Sequence, residues 1–183
     1  MTTVSVQARP PREAKKKRVK KREGEVLEIL TVSGRKKRVL AAGKFEKIYR
    51  AGRLERVRVI KAGVAPAAVK DIAMAMGSPQ EVVIKNLGIS RSTWARKRSQ
   101  QVPLEQNASE KVIGLAALIG QVESLVKEQG EPKGFDAAKW LQGWIEQPVP
   151  ALGGRKPAEL LDTREGQQIV SGLLDAIRAG AYL

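Results

Sequence analysis

The sequence predicts a mainly α-helical protein. Aromatic residues make up 4% of its 183 residues, too few for β-rich packing, which leans on aromatic and β-branched side chains. Ala, Leu, Glu, Lys and Gln, all strong helix formers, are abundant. From Gly52 onward, apolar residues recur at three- and four-residue spacing between Gly, Pro and hydroxyl-bearing residues, which is the helical period with helical punctuation. A hydrophobic content of 42% is enough for one modest core or two small ones.

The elements follow in order. Residues 1–50 read as a basic, largely disordered arm. Its first part holds Pro10-Pro11, Lys15-Lys16-Lys17-Arg18 and Lys20-Lys21-Arg22 with little apolar surface to offset the entropy of ordering. The run from Lys15 to Arg22 reads first as a solvated tail, then as a nonspecific phosphate contact, and last as a nuclear localisation signal. Val26-Leu27-Glu28-Ile29-Leu30-Thr31-Val32 is ambiguous between strand and helix.

Residues 51–103 read as a first helical domain. Leu54, Val57 and Ile60 give one helix its apolar face, and Gly63 stops it. Pro66 suits the first turn of the next, whose face is Val69, Ile72, Ala73 and Met76 before Gly77. Ser78 as N-cap with Pro79 opens a helix burying Val82, Val83 and Leu87. Gly88-Ile89-Ser90 is a tight turn, and Ser90 is placed to cap a helix from Arg91 to about Gln100 with Trp94 as its inward anchor. Two short helices about such a turn form a helix-turn-helix pattern.

Pro103 marks a break, and residues 104–183 read as a second helical domain. Asn107 with Glu110 resembles a capping box for a long helix to about Glu128, with a stripe of Val112, Leu115, Ala116, Ile119, Val122 and Val126. Gly130 and Gly134 close the connection to a helix of Phe135, Ala138, Leu141 and Ile145, with Trp140 and Trp144 one turn apart. Pro148 and Pro150 stop it. After Gly153-Gly154, Pro157 starts a short turn through Leu161, and Thr163 caps a last helix that turns Val170, Leu173, Leu174 and Ile177 inward.

Charge placement separates the parts. The net charge is +15, and residues 1–58 carry 19 Lys and Arg against 6 acids, whereas residues 101–183 carry 8 against 11. The first part attracts a polyanion; the last suits protein contacts. The chain has no Cys and no His, which removes thiolate nucleophiles, imidazole bases and nearly all zinc chemistry, so no cofactor or metal is expected. Asp136, Glu146, Glu159, Asp162, Glu165 and Asp175 are scattered at helix starts and exposed faces rather than paired as acid and base, so no enzymatic activity is expected. Gly153-Gly154-Arg155-Lys156 lacks the spacing of a phosphate loop and reads as a structural turn. Neither a membrane span nor a signal peptide is evident, and the cytosol is the expected compartment.

The DNA-binding signal lies in Gly88 to Arg98, where a glycine turn, a Ser cap, hydroxyls and cations surround one anchor. In repressor-type units the second helix enters the major groove by its N-terminal end. Ser90, Arg91, Ser92 and Thr93 then approach base edges or phosphates, and Arg96, Lys97 and Arg98 the backbone. The competing reading is a solvated basic face.

Residues 57–183 resemble the Xre/MbcA/ParS antitoxins of Res-type toxin-antitoxin modules. The likeness rests on Ser90, Thr93 and Arg96, on Ala138 with Trp140-Leu141, on Ala151-Leu152-Gly153-Gly154 with Pro157, and on Leu161, Thr163, Gly166, Val170, Leu174 and Gly180. The long basic arm and the bulky Trp94 depart from the family pattern. The resemblance implies a helix-turn-helix domain followed by a toxin-binding domain, a Res-domain toxin related to ADP-ribosyltransferases as partner, and operator DNA bound for autorepression. The economy of reading two half-sites makes a homodimer the expected form, and the resemblance implies that it joins the toxin in a hetero-oligomer in the bacterial cytosol, at the nucleoid when bound to DNA. Toxin contacts then fall on Leu152, Gly153, Gly154, Arg155, Arg178, Gly180, Ala181, Tyr182 and Leu183, with the tail from Arg178 reaching the toxin's nucleotide cleft. The alternative is a stand-alone basic DNA-binding regulator or nucleoid-associated protein.

Overall fold

The computed structural model describes residues 44–130 and 134–180. Among them eight α-helices follow one another: α1 (Lys44–Arg50), α2 (Arg53–Ala62), α3 (Ala67–Met76), α4 (Gln80–Asn86), α5 (Arg91–Ser99), α6 (Gln106–Glu128), α7 (Ala137–Ile145) and α8 (Arg164–Arg178). Two 3₁₀ turns, Pro150–Leu152 and Pro157–Leu160, lie between the last two. The protein is mainly α, and among the described residues the β-type pairing is one isolated antiparallel bridge between Val149 and Arg155. None of the described helices is long and apolar enough to cross a membrane.

The 23-residue α6, roughly 35 Å long, organises the molecule, with α1, α2, α7 and α8 all packed on it. Its expected stripe is buried at Val112, Leu115, Ala116, Ile119 and Val122, and Ile113 and Leu118 are buried as well. The helix is therefore covered on more than one face, and a continuous core runs from Phe45 to Leu174. The capping box expected at Asn107 does not form. The helix begins at Gln106 after Glu105, without a side-chain cap, and Asn107 is exposed in the first turn. The buried Ser109 fixes its start instead, accepting a hydrogen bond from the Val64 N–H (2.9 Å) and donating one to the Leu104 carbonyl (3.1 Å).

Helix α1 falls on residues expected to belong to the arm. Phe45 and Ile48, three apart on one face, are 1% and 0% exposed, enough apolar surface to hold a seven-residue helix that would not persist alone. The Glu46 N–H donates to Glu123 Oε2 (2.7 Å), and the Glu46 carboxylate meets Arg50 at 2.7 Å and Lys127 at 3.3 Å. Burial pushes that carboxyl up, but the two cations hold it below its ordinary value. The apolar run Val26 to Val32 and the rest of the expected arm, residues 1–43, lie outside the described residues.

Helix α2 presents a face other than the expected one. Leu54 is 76% and Val57 44% exposed, while Glu55 and Val59 are buried and Ile60 is half-buried. Three-residue steps drift around a helix of 3.6 residues per turn, whereas the four-residue step from Glu55 to Val59 holds one side toward α6. Helix α3 follows expectation: Val69, Ile72, Ala73 and Met76 are buried, and Gly77 at φ +62° closes the helix in the left-handed region.

Candidate functional site

The helix-turn-helix is built by α4, a turn and α5. Gly88 adopts φ +58°, and the Ile89 N–H reaches back to the Ile84 carbonyl (3.0 Å), a closure that needs a left-handed residue. A Cβ on Gly88 would meet Asp162 Cβ at 3.0 Å, so the turn also packs against the segment before α8. Ser90 and Ser78 do not cap: the Ser90 hydroxyl shares a 2.9 Å hydrogen bond with the Ser92 hydroxyl, and α4 starts after Pro79 without a side-chain cap.

Trp94 is 8% exposed and anchors α5 as expected, with Arg98 over its ring at 5.1 Å. Lys97 lies 3.6 Å from Glu105. Arg91, Ser92 and Arg96 are exposed, and Thr93 is half-buried. Ser92, Ala95, Arg96 and Ser99 fall at the spacing of one helix face, so the seven residues singled out divide. Ser90, Arg91, Ser92 and Arg96 present outward, Thr93 is half-buried, and Lys97 and Arg98 are engaged with Glu105 and Trp94.

The segment from Val149 to Arg155 is a closed turn. The Val149 N–H donates to the Arg155 carbonyl (3.0 Å) and the Gly154 N–H to the Val149 carbonyl (3.1 Å). Gly153 and Gly154 stand at φ +65° and +80°, and a Cβ on either would meet nothing within 4 Å. Backbone conformation, not space, therefore asks for glycine here. Leu152 is half-buried; Gly153, Gly154 and Arg155 are exposed.

Beyond the turn, Pro157, Ala158 and Leu161 are buried, and Thr163 Oγ1 caps α8 by accepting the Gly166 N–H (3.0 Å). Gln167, 7% exposed, then donates to the carbonyls of Lys111 (3.0 Å) and Leu161 (2.9 Å), joining α8 to α6 and to the turn. Farther along α8, the Ser171 hydroxyl donates to Gln121 Oε1 (2.8 Å). Val170 and Leu174 are buried, Leu173 and Ile177 half-buried.

At the far end of α8 a cleft of about 300 Å³ opens between Val122, Leu125 and Val126 of α6, Gln129 just past its end, Phe135 and Trp140 around α7, and Leu174, Ile177 and Arg178 of α8. Trp140 stacks on Trp144 with centroids 6.1 Å apart, and Phe135 tilts against Trp140 at 6.3 Å. Asp136 caps α7 through the Lys139 N–H (3.1 Å) and pairs with its ammonium (3.1 Å). Partial burial pushes that carboxyl up, and these two contacts bring it below its ordinary value. Arg178 sits 3.8 Å from Glu128, which lies 3.6 Å from Arg50 of α1.

The expected toxin contacts thus separate into two places. Leu152 to Arg155 precede the start of α8, whereas Arg178 and Gly180 lie at its end, roughly 20 Å away along a 15-residue helix. Ala181, Tyr182 and Leu183 lie outside the described residues. Sequence reasoning passed over the cleft, although Phe135, Trp140 and Trp144 crowd three aromatic rings into ten residues of an aromatic-poor chain.

Residues 135–180 match the family model of the antitoxin Xre/MbcA/ParS C-terminal toxin-binding domain. Residues 55–117 match that of the antitoxin Xre-like helix-turn-helix domain, which runs past Pro103 into α6. The chain is also similar to the Prs ADP-ribosylating antitoxin of Sphingobium sp. (strain YBL2), 44% identical over 138 residues that cover 75% of this chain and 87% of that protein. With both halves matched and a relative of that identity, the chain belongs to the Xre/MbcA/ParS antitoxins of toxin-antitoxin systems.

Proposed function

We propose that this antitoxin binds and inhibits a Res-domain toxin that consumes NAD or transfers ADP-ribose, and that it binds operator DNA to repress its own transcription. The observation that carries the reading is that one continuous core holds an outward-facing basic helix at one place and an aromatic-lined cleft, inside the toxin-binding match, at another. The name of the Sphingobium relative contains ADP-ribosylation, which supports a toxin of that chemistry.

On the DNA side, α5 enters the major groove by its N-terminal end, with Arg91, Ser92 and Thr93 toward bases or phosphates and Arg96 on the backbone. Lys97 and Arg98 support the helix through Glu105 and Trp94 rather than contributing full phosphate contacts. Two half-sites read by a dimer give the operator its symmetry.

On the toxin side, the cleft receives an apolar or aromatic side chain of the toxin, desolvated against Trp140 and Leu174. The residues from Arg178 to Leu183 then extend into the toxin's nucleotide cleft and exclude NAD by occupancy. The antitoxin supplies no chemistry of its own in this scheme.

Co-expression with the Res-domain product of the neighbouring reading frame tests the proposal. A stable complex that also retards its own promoter fragment is the expected result. A folded antitoxin that retards the fragment but never retains the toxin overturns the toxin half and leaves the stand-alone regulator.

A further inference from the structure

We propose that the exposed apolar and basic face of α2 is covered in the full chain by the acidic-apolar segment Glu23 to Val32 of the same molecule. The inference is independent of the toxin and DNA assignments.

Leu54 is 76% and Val57 44% exposed, on the outer side of a helix whose inner side, Glu55 and Val59, is buried. Two apolar side chains three apart make a contiguous strip of helix surface. Beside it on the same exposed side stand Arg53 and Lys61. Two exposed cations with no carboxylate between them on that side gain from an approaching anion.

The chain supplies a complement. Residues 1–43 carry 13 Lys and Arg against 4 acids, yet three of those acids, Glu23, Glu25 and Glu28, sit within one stretch beside Val26, Leu27, Ile29, Leu30 and Val32. Carboxylates and large aliphatic side chains are therefore gathered in one segment, opposite in charge to α2 and matching it in apolar character.

The tether permits the contact. Residues 33–43 give 11 residues, which span up to about 36 Å when extended. Helix α1 is seven residues long and α2 begins three residues after it ends, which places Leu54 within about 25 Å of Lys44. A link of this length holds the segment near α2 at an effective concentration of about a millimolar.

Other occupants fit less well. A second copy of the same face brings Arg53 and Lys61 against their equals, and like charges across an interface are costly. Nucleic acid phosphates satisfy the cations but leave Leu54 and Val57 in water.

The chain has no cysteine, so disulfide trapping reads the contact directly. A full-length Ile29→Cys, Leu54→Cys variant is oxidised under mild conditions beside an Ile29→Cys, Gln168→Cys control, whose second cysteine sits on exposed α8. Both are first checked for native helicity and unfolding midpoint. The expected result is a monomeric cross-link that forms roughly tenfold faster in the first pair than in the control, at a rate independent of protein concentration. Adding Glu25→Lys and Glu28→Lys slows it, and Arg53→Glu with Lys61→Glu restores it. Equal rates in the two pairs overturn the proposal, because the segment then only collides at random. Predominant covalent dimers overturn it too, because a second copy then occupies the face.

Discussion

The carbonyl oxygen of Phe45 stands where a Cβ on Gly120 would be, so α1 rests directly on the backbone of α6. No side chain fits between them. Gly120→Ala is expected to destabilise the fold by at least about 2 kcal/mol, since packed backbones give way poorly to added volume. Gly172→Ala is the contrast: a Cβ there meets nothing within 4 Å, and the residue lies inside α8. Urea unfolding should show the second variant more stable than the parent by about 0.5–1 kcal/mol.

Gln167 ties α8 to α6 and to the turn before α8. Gln167→Ala leaves the Lys111 and Leu161 carbonyls without its amide and opens space beside Gly114, at an expected cost of about 1–3 kcal/mol. Thermal melts at matched pH measure it. A change below a few tenths would mean that water replaces the amide.

The cap of α7 gives a pH signature. Asp136 has a folded-state pKa below its ordinary 3.8, so its contribution is complete above that value and is lost as pH falls through the lowered one. Asp136→Ala should cost about 1 kcal/mol at neutral pH, as a lost N-cap does. The difference between variant and parent should shrink in denaturation series carried to increasingly acidic pH.

For DNA, the pairing of Lys97 with Glu105 and the stacking of Arg98 on Trp94 separate residues that look alike in sequence. Arg91→Ala and Arg96→Ala should each flatten the log-affinity against log-salt slope by about 0.9, the loss of one phosphate contact. Lys97→Ala should leave the slope nearly unchanged. Fluorescence anisotropy of promoter DNA from low to physiological salt distinguishes the two classes.

What the sequence revealed was periodicity and punctuation. The helices from α3 onward, the Trp94 anchor and the Thr163 cap follow from spacing and from residues whose partners are local. Helix α1 was illegible because its stability is tertiary: Phe45 and Ile48 hold it only because Gly120, 75 residues on, lets its backbone approach. The start of α6 is illegible for a related reason, since Ser109 holds it by accepting from Val64, far back in the chain, as well as by donating to Leu104. The exposed face of α2 could not be told from the buried one, because either rotation offers apolar residues. At the candidate site, the Gly153-Gly154 turn was visible as backbone chemistry. The cleft was not, because its lining comes from three helices far apart in the chain.

The cleft has its own expectation. Trp140→Ala removes the ring that lines one wall and stacks on Trp144, and should weaken toxin binding by about 2 kcal/mol or more, as loss of a buried aromatic anchor does. Titration calorimetry with the purified toxin checks it, and circular dichroism confirms that the variant keeps its helices. Ile169→Ala, at an exposed position of α8 outside the cleft lining, serves as the reference and should bind as the parent does.

NAD turnover by the purified Res-domain toxin, titrated with the full antitoxin and with a form lacking residues 179–183, separates inhibition by the tail from binding alone. The full chain should abolish turnover at stoichiometric amounts, and the shortened chain should still bind but leave the toxin active. Turnover that continues unchanged in saturating, folded antitoxin would contradict inhibition, and equal inhibition by both forms would contradict the role of the tail.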